Sequence, residues 1–216
     1  MNKELKRYLL TNIKGLYKTF DKGHSVSHFN FVTKNCVNYA KALIKRGEEV
    51  NLDIAYVAGA YHDVGLVDGR EGHAAASGKY VRADAELKKY FSDSEIEIIA
   101  EAVEDHSSHN LVRPRNIYGE IVADADRNNS VYLVFSRPIK YGLEHEKSFT
   151  KEQHIERVYN FVKEKFGPEG YCKYWLNIPD TTKEQRQVWA LLENKEMCKM
   201  YLSGLFDEIT KGKFNK

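Results

Sequence analysis

Hydrophobic residues recur every three or four positions through much of this 216-residue chain, and this is the spacing of amphipathic helices. In the first segment they are Leu5, Leu9, Ile13, Leu16 and Phe20. A second helix is expected from Ser25 to Gly47, where a glycine stops the pattern. His28 occupies the first position of the apolar stripe of this second helix. A histidine is therefore expected to face the protein interior.

The third predicted helix, from about Leu52 to His62, is apolar on nearly every side and must be buried. We expect Gly65 to cap its C-terminal end. The stretch "YVAGAYHDVG" nevertheless places His62 and Asp63 at the end of this apolar run. A buried carboxylate without a partner costs several kcal/mol, so buried charges are paired or coordinate metals. The sequence therefore predicts a partner for this pair.

The downstream pattern predicts further helices. A fourth is expected over about residues 71–90. Ser92 and Glu95 then have the spacing of a capping box, and the apolar face that follows ends in His106. Proline in "RPR" at 113–115 ends that helix. The remaining helices are expected from about Asn116 into "IVADADRNNSVYLVF", near 150–166 from Thr150, and over 181–210 from Asp180. Because no alternating strand pattern is present, the sequence predicts an all-α fold.

Composition and charge narrow the class of protein. The hydrophobic share of 42% and the charged share of 30% are typical of one folded, soluble domain, here residues 1–216. A net charge of +2 and the absence of a basic, aromatic-interleaved strip give no clear nucleic-acid surface. No segment reaches the apolar length of a signal peptide or a membrane span. Three widely spaced cysteines indicate no disulfide framework. We therefore expect a cytoplasmic protein that does not enter a membrane.

Ionisable residues on otherwise apolar faces form a possible metal site. They are His28, His62, Asp63, His106 and an aspartate of "ADAD", and they come from four predicted helices. Imidazole and carboxylate are ligands of divalent transition metals, and helix bundles build such sites from inward-facing side chains. Two choices stay open at this point. His24 and His28 are four residues apart and could face the same way. Asp124 and Asp126 point about 200° apart on a helix, and periodicity does not decide between them.

The order of these residues resembles the HD-domain metal-dependent phosphohydrolases, whose pattern is H…HD…D on an all-α core. The matching residues are His28 in "HSVSHFNFV", His62 and Asp63 in "GAYHDVG", and Asp126 in "IVADADRNN". The resemblance covers about residues 20–135 and selects His28 over His24 and Asp126 over Asp124. It implies an HD-domain helical bundle, with residues 136–216 as a C-terminal helical extension.

Two more histidines resemble the additional ligands of two-metal HD proteins. His73 in "EGHAAASG" and His106 in "AVEDHSSHN" stand at comparable places. The resemblance implies a cofactor of one or two divalent transition-metal ions, namely Mn, Fe, Ni, Co or Zn, with Mg also possible. In the two-metal form Asp63 bridges the ions, and Asp63 and His62 are the expected catalytic residues.

The resemblance also implies an activity. We expect a phosphohydrolase that cleaves a phosphoester or phosphoanhydride of a nucleotide or a small phosphorylated metabolite with metal-activated water. Cationic side chains should bind the phosphoryl group, and Lys79 and Arg115 are the preferred pair. The alternative is a regulatory module that binds metal and a phosphate ligand without turnover. The C-terminal helices are expected to cover the site or to form a homodimer.

Overall fold

The structure, a computed structural model, describes residues 2–127 and 130–214. Helices joined by turns make up these residues, and none of them lies in a β-strand. The α-helices are α1 (Lys3–Tyr8), α2 (Lys14–Leu16), α3 (Val26–Lys45), α4 (Leu52–Tyr61), α5 (His73–Ala83), α6 (Asp93–Glu104), α7 (Ile117–Arg127), α8 (Val131–His145), α9 (Lys151–Phe166), α10 (Pro179–Glu193) and α11 (Lys195–Phe214). The predicted all-α class is confirmed.

Two compact units divide the chain. The first unit contains α1 to α7 and also a later segment of the chain, Tyr174–Thr181. The second unit contains α8, α9, α11 and the larger part of α10. The sequence predicts a C-terminal helical extension from about residue 136, and this boundary stays a prediction. The longer of the two segments of the first unit runs to Arg127, at the end of α7. The predicted continuation of that helix crosses Asn128 and Asn129, which lie outside the described residues. A single domain over the whole chain stays a prediction.

The core of the first unit surrounds α4. Every residue of α4 from Ile54 to Tyr61 is buried, because α3, α6 and α7 all pack against it. This explains why the α4 sequence is apolar without a periodic polar face. At about 25 cal/mol per Å² of buried apolar surface, such a central helix contributes strongly to the stability of the unit. Its C-terminal end is therefore held firmly in place.

The first helical segment differs from the predicted stripe in one respect. A π-helical turn, Leu9–Ile13, separates α1 from α2. A π-helix turns less per residue than an α-helix, so residues four apart stay on one face through the turn. The buried positions are accordingly Leu5, Leu9, Ile13 and Tyr17. The sequence pattern selected Leu16, which is only half-buried, and it missed Tyr17.

Gly65 does not cap α4 as the sequence suggested. It lies in a 3₁₀ turn, Val64–Asp68, and it is not among the glycines with positive φ. A Cβ atom at this position would lie 2.1 Å from the backbone oxygen of His73 and 2.6 Å from the nitrogen of Ser77. Gly65 is therefore required for the close approach of this turn to α5.

The predicted helix over residues 71–90 is interrupted at Asp84. The Asp84 backbone is extended, with ψ of 102°. Its carboxylate accepts hydrogen bonds from the hydroxyls of Tyr8 and Tyr61 and from the backbone N–H of Glu86. A short side chain that bonds locally to the backbone competes with helix formation, and the hydroxyls of the half-buried Tyr8 and the buried Tyr61 both donate to it here.

The predicted helix starts at Ser92 and Thr150 are confirmed. Both residues form complete capping boxes, with Glu95 and Gln153 respectively. In the second unit, α9 packs against α8 and α11 around a separate apolar core. A helix long and apolar enough to cross a membrane is not found in the part of the chain that the structure describes.

Candidate metal centre

Five helices of the first unit bring six ionisable side chains together. His28 lies in the first turn of α3, and His62 and Asp63 directly follow α4. His73 is the first residue of α5, His106 follows α6 by two residues, and Asp126 lies in the last turn of α7. Each side chain stands at a helix end, so their convergence depends on how the helices pack.

The first group, which we call the His28 cluster, consists of His28, His62 and Asp126. The Nε2 atom of His28 lies 3.1 Å from Nε2 of His62 and 3.2 Å from Oδ1 of Asp126. It also lies 3.4 Å from Oδ2 of Asp63. Two imidazole nitrogens and a carboxylate oxygen therefore meet within the reach of one metal ion.

The second group, which we call the His73 cluster, consists of Asp63, His73 and His106. Oδ1 of Asp63 lies 3.6 Å from Nε2 of His73 and 3.6 Å from Nε2 of His106. The other carboxylate oxygen of Asp63, Oδ2, lies 2.9 Å from Nε2 of His62. The two oxygens of Asp63 thus face different clusters.

Backbone carbonyls orient three of the imidazole rings in the same way. The Nδ1 atoms of His62, His73 and His106 lie 2.9, 2.9 and 2.6 Å from the carbonyl oxygens three residues earlier. A carbonyl can only accept, so each Nδ1 carries the proton and donates it. A hydrogen bond of this kind fixes the tautomer and leaves Nε2 free as a metal ligand.

The pKa values of the carboxyl and imidazole groups in the clusters depend on their burial and on the attraction between them. Burial alone would raise the pKa of Asp63, but the neighbouring imidazoles of His62, His106 and His28 hold that pKa well below its ordinary value. Burial opposes protonation of His28, yet its contacts with Asp126 and Asp63 raise its pKa to about 9. The two carboxylates therefore favour the protonated form of His28 when no cation is bound.

One atom indicates that this arrangement suits a metal. Oδ2 of Asp63 is buried and accepts no hydrogen bond, although it lies between two imidazoles. A buried carboxylate oxygen without a hydrogen bond is costly, and metal coordination is one of the ways to satisfy it. Carboxylate and imidazole together are ligands for divalent transition metals. The residues present therefore fit such a cofactor.

The structure decides both choices that periodicity left open. Asp126 reaches His28, whereas the carboxylate of Asp124 accepts the backbone N–H groups of Trp175 and Leu176, each at 2.9 Å. His24 lies outside the clusters in a 3₁₀ turn, with Nδ1 2.9 Å from Asp21. Its ring meets that of His28 edge-on, 5.8 Å between centroids.

The two side chains predicted to bind the phosphoryl group of the substrate, those of Lys79 and Arg115, are not members of the two clusters. Lys79 is exposed on α5, six residues after His73 and so on a different face of that helix. The guanidinium of Arg115 contacts the carboxylates of Glu101, Glu104 and Asp105. The ion pairs of Arg115 lie outside the two clusters, and the roles of both side chains stay predictions.

Two residues next to the clusters, Tyr17 and Arg127, make contacts that the sequence pattern did not predict. The Tyr17 hydroxyl lies beside His62 and Asp63. Arg127 is buried, and its Nη2 donates to the backbone oxygens of His106 and Ser107, at 3.2 and 2.8 Å. Arg127 thus fixes the chain at His106. Its sequence neighbour Asp126 was the available signal.

Comparisons with known proteins identify one family. The family model of the HD domain matches residues 25–128, the segment that contains all six side chains. A solved structure of a predicted HD superfamily hydrolase from an uncultured Thermotogales bacterium is 22% identical to this chain. The alignment covers 73% of this chain and 87% of that one, with a TM-score of 0.48. None of the curated proteins matches the chain.

The all-α fold and the matched segment define the class of protein. It is the class of proteins built on an HD domain, whose members bind divalent metals. This chain belongs to the HD-domain superfamily.

Proposed function

We propose that the protein is a metal-dependent phosphohydrolase that cleaves a phosphoester or phosphoanhydride of a nucleotide or a small phosphorylated metabolite. The observation that carries the proposal is the position of Asp63, whose Oδ2 faces the His28 cluster and whose Oδ1 faces the His73 cluster. A carboxylate shared in this way is suited to hold two divalent ions close together.

The ligand assignments follow from the two clusters. His28, His62 and Asp126 would hold one ion, His73 and His106 would hold the other, and Asp63 would contribute one oxygen to each. Bound pairs of divalent ions supply hydroxide near neutral pH and positive charge for the oxygens of a phosphoryl group. Asp63 and His62 are proposed as the residues whose loss abolishes activity, because both lie at the junction of the clusters.

The surrounding helices also bury part of the proposed metal site, which limits the side from which a substrate can reach it. Asp63, His62 and His106 are almost fully buried, whereas His28, His73 and Asp126 are half-buried. The group is therefore reached from the side of the half-buried residues, and a substrate would approach there. Rigid ligands on helix ends keep their geometry when a substrate arrives, which is what catalysis by preorganised groups requires.

Substrate binding by cations remains part of the proposal. Lys79 is exposed on the helix that begins with His73. Arg115 would have to exchange contacts with three carboxylates for a contact with phosphate. Substituting each residue by Gln should raise KM more than it lowers kcat if the side chain binds the phosphoryl group in the ground state.

The test is a hydrolysis screen on purified protein supplied separately with manganese, iron, nickel or cobalt. Nucleoside monophosphates, dinucleoside polyphosphates, cyclic nucleotides and sugar phosphates form the substrate panel. We expect phosphate release with at least one substrate, and its loss in Asp63→Asn. Metal binding and phosphate-ligand binding without turnover across the panel would instead support the non-catalytic regulatory module.

A further inference from the structure

The hydroxyl of Tyr17 contacts both His62 and Asp63, and Tyr17 is only 1% exposed. Its oxygen is 3.0 Å from the carbonyl oxygen of Ala60 and 3.3 Å from the backbone nitrogen of Asp63. It is also 3.4 Å from Nδ1 of His62. One buried hydroxyl therefore touches both residues of the pair and the last turn of the helix that precedes them.

The direction of each hydrogen bond follows from the available protons. The Ala60 carbonyl can only accept, so the Tyr17 hydroxyl donates to it. The Tyr17 oxygen then has only lone pairs left, and the Asp63 N–H donates to one of them. Nδ1 of His62 faces two acceptors, this oxygen and the Gly59 carbonyl at 2.9 Å. Nδ1 must therefore carry a proton, and Nε2 is left with its lone pair toward the His28 cluster.

Two features hold the Tyr17 ring in this position. The π-helical turn Leu9–Ile13 places Tyr17 on the buried face of the first helical segment. The ring then packs against Phe20 and edge-on against Phe29, with centroids 5.2 and 5.0 Å away. A π-turn is a costly local feature that is frequent near functional sites. Tyr17 precedes the segment 25–128 that matches the HD domain, so the match assigns it no role.

We propose that Tyr17 is a positioning residue that fixes the backbone of Asp63 and reinforces the Nδ1-protonated tautomer of His62 set by the Gly59 carbonyl, so that both side chains are preorganised to bind metal. This inference rests on the proposed metal-dependent function. Tyr17 itself does not reach the substrate or the metal. Partners of this kind typically change metal affinity about 10- to 100-fold when they are removed.

The test compares Tyr17→Phe with a matched control, Tyr118→Phe. Tyr118 is also buried, and its hydroxyl also accepts a backbone N–H, that of Asn51 at 2.8 Å, but away from the clusters. Manganese affinity is measured by calorimetric titration of the two variants and the wild type. We expect about a 10- to 100-fold weaker affinity in Tyr17→Phe, and wild-type affinity in Tyr118→Phe.

Nitrogen NMR of the metal-free wild type at alkaline pH gives a second readout that needs no variant. We expect the His62 ring to show a protonated Nδ1 and an unprotonated Nε2, and the opposite tautomer would overturn the inference even if Tyr17→Phe does not fold. Wild-type manganese affinity in Tyr17→Phe would overturn it as well. A wild-type protein that binds no manganese would instead refute the proposed function.

Discussion

Replacing Asp63 by Asn tests the candidate metal centre most directly, because one oxygen of the Asp63 carboxylate faces the His28 cluster and the other faces the His73 cluster. The change keeps the size of the side chain but removes its charge and one acceptor oxygen. Metal stabilises a protein by binding its folded state, and this stabilisation is about 2.7 kcal/mol when the metal concentration is 100 times Kd. Since 1 kcal/mol shifts Tm by about 2–4 °C in a chain of this size, the wild type should melt about 5–11 °C higher with manganese.

In Asp63→Asn that shift should nearly disappear. If affinity falls by about 100-fold, the same manganese concentration equals Kd and stabilises by only about 0.4 kcal/mol, or about 1–2 °C. Thermal melts with and without manganese measure the shift, and any effect of the substitution on the metal-free protein cancels in the comparison. Asp124→Asn is the matched control, because Asp124 is buried in the same unit but bonds to Trp175 and Leu176. A wild-type shift in Asp63→Asn would refute the bridging role of Asp63.

Three further predictions concern single side chains. His106→Ala should lower the metal content toward one ion per chain, since the His28 cluster keeps its own ligands; elemental analysis giving two ions in the variant would contradict this. Asp124→Asn should cost about 1–3 kcal/mol of stability, because the amide cannot accept both N–H groups that the carboxylate accepts; urea unfolding measures the loss, and an unchanged midpoint would contradict it. His154 is buried, and its pKa is lowered mainly by this burial and to a smaller extent by the positive charge of the nearby Arg157. The folded state therefore disfavours the protonated ring, so His154 contributes stability above its unfolded pKa of about 6.5, and that stability is lost as pH falls below this value. We therefore expect the His154→Gln variant to lose less stability than the wild type between pH 8 and pH 5. The measurement is Tm at a series of pH values, and an equal fall of Tm in both proteins would argue against the prediction.

The comparison between sequence and structure is informative at the aspartates of α7. The sequence showed that one of Asp124 and Asp126 faces inward with the histidines, but helical periodicity did not distinguish them. In the structure both are used, because a segment 51 residues further along places its backbone N–H groups on Asp124. That contact depends on the path of the chain between α9 and α10, which has no periodic signal. Only the resemblance to a family selected Asp126.

The burial of Tyr17 is a second feature that the local sequence pattern did not predict. A stripe read at 3.6 residues per turn passes from Ile13 to Leu16, and only a π-helical turn moves Tyr17 onto the buried face. Such a turn depends on what the helix packs against, and here the turn contacts α4. It therefore does not appear in the local pattern of apolar residues.

The sequence by itself determined the helical class, most helix starts and the residue types that meet in the two clusters. These properties depend on local periodicity, on capping residues and on the cost of burying charge, all of which can be read from short segments. The tertiary structure decided which oxygen of Asp63 faces which cluster, why Gly65 must lack a side chain, and how Tyr17 orients His62. These depend on distances between helices that are far apart in the chain, and such distances are set only when the core around α4 packs.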